Sequence, residues 1–294
     1  MFTGSLVALV TPFRDGRIDL DKLEALVEFH VEAGTNGLVP CGTTGESATL
    51  SHEEHEIVIR SVVQFADGRV PVLAGTGSNS TSEALRLTRF AREAGADGAL
   101  LITPYYNKPT QRGLVAHFEA IALQVDLPLV LYNVPSRTGV NMLPQTVSEC
   151  AKLPNVVGIK EASGSVDQTA EILRGCESTG SEITVLSGDD SLTLPLMAVG
   201  AKGVISVAAN IVPELMVDLV DFATDGNYAG ARDLHLKLFP LFKAIFVETN
   251  PIPVKAALAM MGKIGPELRL PLTPLDSKHV PELKRVLVEL GISV

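Results

Sequence analysis

The chain has 294 residues, 46% of them hydrophobic, with 34 acidic against 24 basic residues and a formal net charge of −10. That length and apolar content supply a large core and exclude a disordered chain, while the acidic balance, with no basic run, excludes an electrostatic footprint for nucleic acid. No apolar run approaches the roughly 18 residues of a membrane span, and the N-terminus passes from Met1 into SLVALVTPF without a basic leader.

A chain that neither enters a membrane nor is exported is therefore expected. Cys41, Cys150 and Cys176 are odd in number, far apart and without a CxxC pairing. They read as buried reduced thiols in a cytoplasm, with no disulfide frame and no metal site.

Short β-branched or leucine-rich runs alternate with amphipathic helical stretches from the first residues to about position 224, which points to parallel βα units. Strands are predicted near 6–11, 37–41, 70–74, 98–102, 128–132, 156–160, 183–187 and 203–207. Two of the intervening helices begin with S-x-x-E capping boxes, at Ser51–Glu54 and Ser80–Glu83. A weak repeat, AGTNGLV, AGADGALL and GAKGVIS, joins helix to strand, its first glycine suited to the left-handed conformation that ends a helix. Eight βα units in this length predict a (β/α)8 barrel over residues 1–224 rather than a doubly wound sheet. After Thr224-Asp225-Gly226 the pattern is helical only, near 227–247, after Asn250-Pro251 and near 280–291, which predicts an appended C-terminal helical subdomain, 225–294.

Active sites of such barrels lie at the C-terminal ends of the strands. Strand two runs into GTTGES (42–47), strand four into TPYYNKP (103–109), strand five into YNVPSRTG (132–139), strand six into Lys160 and strand seven into SGDD (187–190). In VVGIKEAS, alternation puts Val156, Gly158 and Lys160 on one face. Lys160 either snorkels its ammonium to water from a strand end or points into the barrel, where desolvation would lower its pKa and free the amine to attack a carbonyl. Its position favours the nucleophile. Gly158, one layer below, is expected to leave it room. Lys202 reads as lying on the opposite face, Lys255 in the helical subdomain and Lys108 in an exposed loop. Tyr132, its predicted neighbour across the ladder, is either an acid–base group or a packed ring with a bonded hydroxyl. GTTGES can offer donors to a carboxylate or be an ordinary turn, and Arg137 can grip a second carboxylate or be a solvated loop residue.

With these residues go ALVTPF (8–13), GTTGESATL (42–50), AGTGSNST (74–81), GIKEAS, LSGDD, GVISVAAN (203–210) and NPIPVK (250–255). Together they resemble the dihydrodipicolinate synthase family along the whole chain. The resemblance implies an aldol-type lyase, without metal or organic cofactor, that condenses pyruvate with L-aspartate 4-semialdehyde on the route to diaminopimelate and lysine. It implies that Lys160 forms an imine with pyruvate, and that Tyr132, Thr43 and Tyr106 relay protons, Tyr106 from a neighbouring subunit. Thr44 would hold the pyruvate carboxylate, Arg137 the semialdehyde carboxylate, and Gly188, Asp189 and Ile205 would line the site. A homotetramer is implied, as is feedback inhibition by L-lysine at Ser47, Ala48, His52, His55, Asn79, Glu83 and Tyr105. N-acetylneuraminate lyase and 2-keto-3-deoxy-acid aldolases share the lysine and tyrosine, but Arg137 and the threonine pair argue against them. Intact Lys160, Tyr132, Thr43 and Tyr106 argue against a barrel that binds a keto acid without turnover.

Overall fold

The computed structural model describes residues 2–294. Eight parallel strands, β1 (Gly4–Ala8), β2 (Gly37–Val39), β3 (Leu73–Gly75), β4 (Gly98–Ile102), β5 (Leu129–Asn133), β6 (Val156–Glu161), β7 (Thr184–Ser187) and β8 (Gly203–Ser206), pair in the order β2-β1-β8-β7-β6-β5-β4-β3. An isolated parallel bridge between Leu38 and Val72 joins the two edges, so the sheet is a nearly closed (β/α)8 barrel.

Helices α1 (Leu20–Glu32), α2 (His52–Ala66), α3 (Thr81–Glu93), α4 (Gln111–Ala122), α5 (Pro144–Cys150), α6 (Val166–Ser178), α7 (Thr193–Ala198) and α8 (Pro213–Thr224) follow the strands in turn. The chain then adds α9 (Tyr228–Ala244), α10 (Ile252–Met260) and α11 (Val280–Glu289). The sequence-predicted boundary at 224/225 falls in the turn between α8 and α9, and Leu238, Leu258 and Leu287 of the added helices belong to the same buried cluster as the outer faces of the strands.

The strands are buried on both faces because helices cover the outside and side chains fill the inside, which is why they read as continuous apolar runs. A separate inner cluster, including Phe2, Leu6, Leu73, Leu100 and Val130, packs the barrel floor below the site.

Strand ends differ from prediction by a few residues, for identifiable reasons. β1 stops at Ala8 because the Val10 N–H is taken by the Asn210 side chain at 3.2 Å. Cys41, at φ 57°, turns the chain out of β2, and Pro71, which has no N–H, delays β3. The repeat glycines Gly34, Gly95 and Gly200 all have positive φ, as expected. Of the two capping boxes, Ser51–Glu54 forms, whereas at Ser80 both halves are missing: its hydroxyl bonds Ser82 at 3.0 Å instead of capping the helix, and the Glu83 carboxylate turns to Ser78 and His52. The three cysteines are buried and free. No helix among the described residues is long and apolar enough to cross a membrane.

Candidate active site

The β5–β6 ladder sets Tyr132 opposite Lys160, and the alternation of both strands aims the two side chains into the barrel. Lys160 is only 6% exposed, and its Nζ lies 4.4 Å from the centre of the Tyr132 ring. Burial lowers the Lys160 pKa to about 8 against the attraction of Asp190, and Arg137 lowers it further. Burial likewise pushes Tyr132 up to about 12, opposed by the charge of Arg137 and by hydrogen bonding with Thr43. At neutral pH the pair therefore combines an amine of unusually accessible neutral form with a phenol that keeps its proton.

Room for the lysine comes from Gly188 rather than Gly158. A Cβ on Gly188 would collide with Ala162 Cβ at 2.6 Å and stand 3.2 Å from Lys160 Cε and Cγ, whereas one on Gly158 would meet the Thr184 carbonyl and the Val130 side chain. The expectation for Gly158 is corrected accordingly: its missing side chain accommodates β7 and Val130.

Lys160 lies at a cavity of about 400 Å³ that is also lined by Thr43, Thr44, Gly188, Asp189 and Arg137. Arg137 is carried by the single-turn helix Pro135–Thr138 just beyond β5, and its Nη2 donates to the Asn250 carbonyl at 3.4 Å. Thr44 is buried, its Oγ1 accepting from Asn250 Nδ2 at 2.9 Å. Asp189 caps the turn after β7 by accepting from the Ser191 N–H and hydroxyl, both at 2.9 Å. Ile205 reaches the inner cluster beneath Tyr132 and lines no part of the cavity. Tyr106 is 89% exposed at φ 71° and lines neither this cavity nor the one that adjoins it.

A second cavity, of about 450 Å³, adjoins the first and shares Thr43, Tyr132, Arg137 and Asn250 with it. Ser47, Ala48, His52, His55, Glu83 and Tyr105 line it. His52 Nε2 is 3.2 Å from Glu83 Oε1, the Ser78 hydroxyl donates to the other Glu83 oxygen, and His55 Nε2 is 2.7 Å from the Gly75 carbonyl. Asn79 lines neither cavity; its carbonyl accepts from Asn107 Nδ2 at 2.8 Å, and Ser78 takes the place on the wall.

Three groups escaped the sequence reading. Asp190, the second aspartate of SGDD, is buried and accepts from the Ser206 hydroxyl and the N–H groups of Val207 and Ala208. Burial raises its pKa to about 6, those hydrogen bonds opposing the rise. Lys255, set aside as a residue of the helical subdomain, is fully buried and paired with the equally buried Glu46. Asn250 stands between Thr44 and Arg137. The motifs SGDD, GTTGES and NPIPVK contain all of them, but which residue faces which is not written in a motif.

Lys255 and Lys160 are both buried lysines and differ in what meets the ammonium. Burial lowers the pKa of Lys255 too, but there Glu46 opposes the shift: Nζ is engaged by Glu46 at 2.5 Å and by the Thr11 carbonyl at 2.9 Å, whereas Lys160 is presented to a ring face beside open space. Only the latter can approach a carbonyl carbon.

The profile of the Dihydrodipicolinate synthetase family matches residues 1–290. The chain is 57% identical over 292 residues to the 4-hydroxy-tetrahydrodipicolinate synthase of Nitratidesulfovibrio vulgaris (strain DP4), covering 99% of each sequence. Its fold superposes with a TM-score of 0.96 on the chloride-inhibited dihydrodipicolinate synthase of Acinetobacter baumannii in complex with pyruvate, at 48% identity, covering 99% of this chain and 100% of that one. The dihydrodipicolinate synthase of Cyanidioschyzon merolae with lysine bound superposes at 0.95, with 41% identity and 99% of both chains covered. With a family profile and relatives matched along nearly its whole length, this chain belongs to the dihydrodipicolinate synthase family.

Proposed function

We propose that this chain is a 4-hydroxy-tetrahydrodipicolinate synthase, condensing pyruvate, held as an imine on Lys160, with L-aspartate 4-semialdehyde. The observation that carries the reading is the Lys160 amine, buried in a cavity, facing Tyr132 and with its pKa lowered to about 8. Neutral Nζ attacks the keto carbon of pyruvate, and the carbinolamine loses water to give the imine. Loss of a methyl proton gives the enamine, whose carbon bonds to the aldehyde carbon of the second substrate while the aldehyde oxygen takes up a proton. The semialdehyde amine then attacks the imine carbon, closing the ring and releasing Nζ.

Each of those steps moves a proton near Nζ. Tyr132, still protonated at neutral pH, is the group assigned to move it, with Thr43 as its hydrogen-bonded neighbour. Thr44 binds the pyruvate carboxylate, and Arg137 at the mouth binds that of the semialdehyde. Gly188 and Asp189 form the adjoining wall, and Ile205 supports the floor. Tyr106, exposed on its own chain, is assigned to the site of a neighbouring subunit in a homotetramer. The second cavity is assigned to L-lysine, with Glu83 as the partner of an ammonium, Tyr105 as a donor and Asn79 beside them; the lysine-bound Cyanidioschyzon merolae relative supports this reading. Buried, unpaired thiols suit a cytoplasmic enzyme.

The test is to incubate the protein with pyruvate, reduce with borohydride and map the adduct, then to assay turnover with the semialdehyde beside cleavage of N-acetylneuraminate. An adduct on Lys160 and turnover of the semialdehyde alone are expected. A label on another lysine, or preference for the sugar acid, overturns the assignment.

A further inference from the structure

Asn250 opens the motif NPIPVK and is 4% exposed at the wall common to both cavities. Its side-chain Nδ2 donates to Thr44 Oγ1 at 2.9 Å, and its carbonyl accepts from Arg137 at 3.4 Å. A hydroxyl has one hydrogen and two lone pairs. Once Thr44 Oγ1 accepts from Asn250, its own hydrogen remains to be given, and Thr44 faces the cavity. The other amide atom, Asn250 Oδ1, is buried without a partner, so no second side-chain bond holds the amide in place.

What holds it is the chain that follows. Five residues on, inside α10, Lys255 donates to Glu46 at 2.5 Å and to the Thr11 carbonyl at 2.9 Å, and the second Glu46 oxygen accepts the Arg269 N–H at 3.0 Å. Glu46 sits in the left-handed region at φ 53° and closes the turn that contains Thr44, its N–H reaching the Thr43 carbonyl at 3.1 Å. One segment thus grips the turn at two residues, Thr44 and Glu46. Stability alone does not account for the charged grip, because apolar replacements of a buried ion pair are often as stable. A paired charge does fix which atoms meet.

We propose that Asn250 is a positioning residue for pyruvate: its amide, anchored through Lys255 and Glu46, turns the hydroxyl hydrogen of Thr44 into the cavity to meet the substrate carboxylate. This rests on the assignment of Thr44 as the carboxylate-binding group. Asn250 need not touch pyruvate to act, so its effect must pass through the Thr44 hydroxyl.

The test measures the pyruvate concentration that half-saturates borohydride trapping, in the absence of semialdehyde, for the full-length parent, Asn250→Ala, Thr44→Val and the double variant. Asn250→Ala is expected to raise that concentration about tenfold, the effect of one hydrogen bond to a charged group. Thr44→Val is expected to raise it at least as much, with the double variant no worse than Thr44→Val alone. Equal, additive increases from Asn250→Ala in both backgrounds overturn the proposal. So does an unchanged or lowered value, which would mean that Thr44 had been giving its hydrogen to Asn250. Should the alanine variant fail to fold, Asn250→Ser, too short to reach Thr44 but polar, carries the same cycle. Trapping that is normal in Thr44→Val overturns the assignment of Thr44, and the proposal with it; absence of any adduct in the parent overturns the imine reading first.

Discussion

Lys160 Nζ lies over the face of the Tyr132 ring, 4.4 Å from its centre, because the two residues are register partners at the ends of adjacent parallel strands. A rigid ladder, not a mobile loop, sets their separation. With burial lowering the lysine pKa to about 8, roughly a tenth of the amine is neutral at pH 7, about three hundred times the fraction for an unperturbed lysine. Borohydride trapping of pyruvate should therefore rise with pH to a plateau with its midpoint near pH 8. A midpoint at the ordinary lysine value would refute the desolvated nucleophile, and Lys160→Met should give no adduct at any pH.

Asp190 and Arg137 pull that midpoint in opposite directions. The Asp190 carboxylate favours the Lys160 ammonium and raises its pKa, while the Arg137 charge lowers it. Asp190→Asn should move the trapping midpoint to lower pH and, by placing an amide where three donors converge, destabilise the fold by about 1–3 kcal/mol in urea melts. A shift to higher pH would show that Asp190 does not act on Lys160 through its charge.

Arg137→Ala should raise the KM for the semialdehyde by about 10- to 100-fold while pyruvate still forms its adduct, with the trapping midpoint displaced to higher pH. Steady-state kinetics with each substrate varied in turn separate the cases. Loss of trapping with spared semialdehyde use would exclude the assigned role.

Lys255→Met leaves the buried Glu46 carboxylate without its ion-pair partner, held by the Arg269 N–H, and should destabilise the protein by about 3–5 kcal/mol. Adding Glu46→Gln should restore much of the loss, since both ends of the pair are then neutral. Urea midpoints of the two single variants and the double one measure this; strictly additive losses would mean that the two residues act apart.

L-lysine should inhibit the parent at millimolar concentrations, and Glu83→Ala should raise the half-inhibitory concentration at least about tenfold. Indifference of the parent would remove lysine from the second cavity. An unchanged response of the variant would put the ammonium elsewhere.

How far the sequence carries the structure depends on the span of the contact concerned. Lys160 and Tyr132 were legible because alternation along a strand dictates which way a side chain points, and strand order in a barrel makes neighbours of consecutive strands. Glu46 and Lys255 were not legible: they lie 209 residues apart, and nothing local marks them as partners. Gly158 and Gly188 show a subtler limit. Alternation along β6 puts Gly158 on the lysine's face, but it is Gly188, in the loop after β7, that lies against the lysine's methylenes, a contact between strands that alternation within one strand does not reveal. The box at Ser80 fails on both sides, its hydroxyl bonded to Ser82 and the Glu83 carboxylate drawn to Ser78 and, across to α2, His52, so that a tertiary contact competes with a local pattern. Tyr106 is exposed and lines neither cavity, so the motif that marks it does not place it against Lys160 within one chain.

The buried thiols bear on how the assignment of Tyr106 to a neighbouring subunit can be tested. Cys41, Cys150 and Cys176 are enclosed, and burial raises the pKa of each, so the native fold offers a maleimide almost no thiolate to attack. A cysteine placed by Tyr106→Cys would stand alone as a labelling target on a surface 89% open in the isolated chain. Its labelling rate, followed as the protein is diluted, would report directly whether another molecule covers that residue.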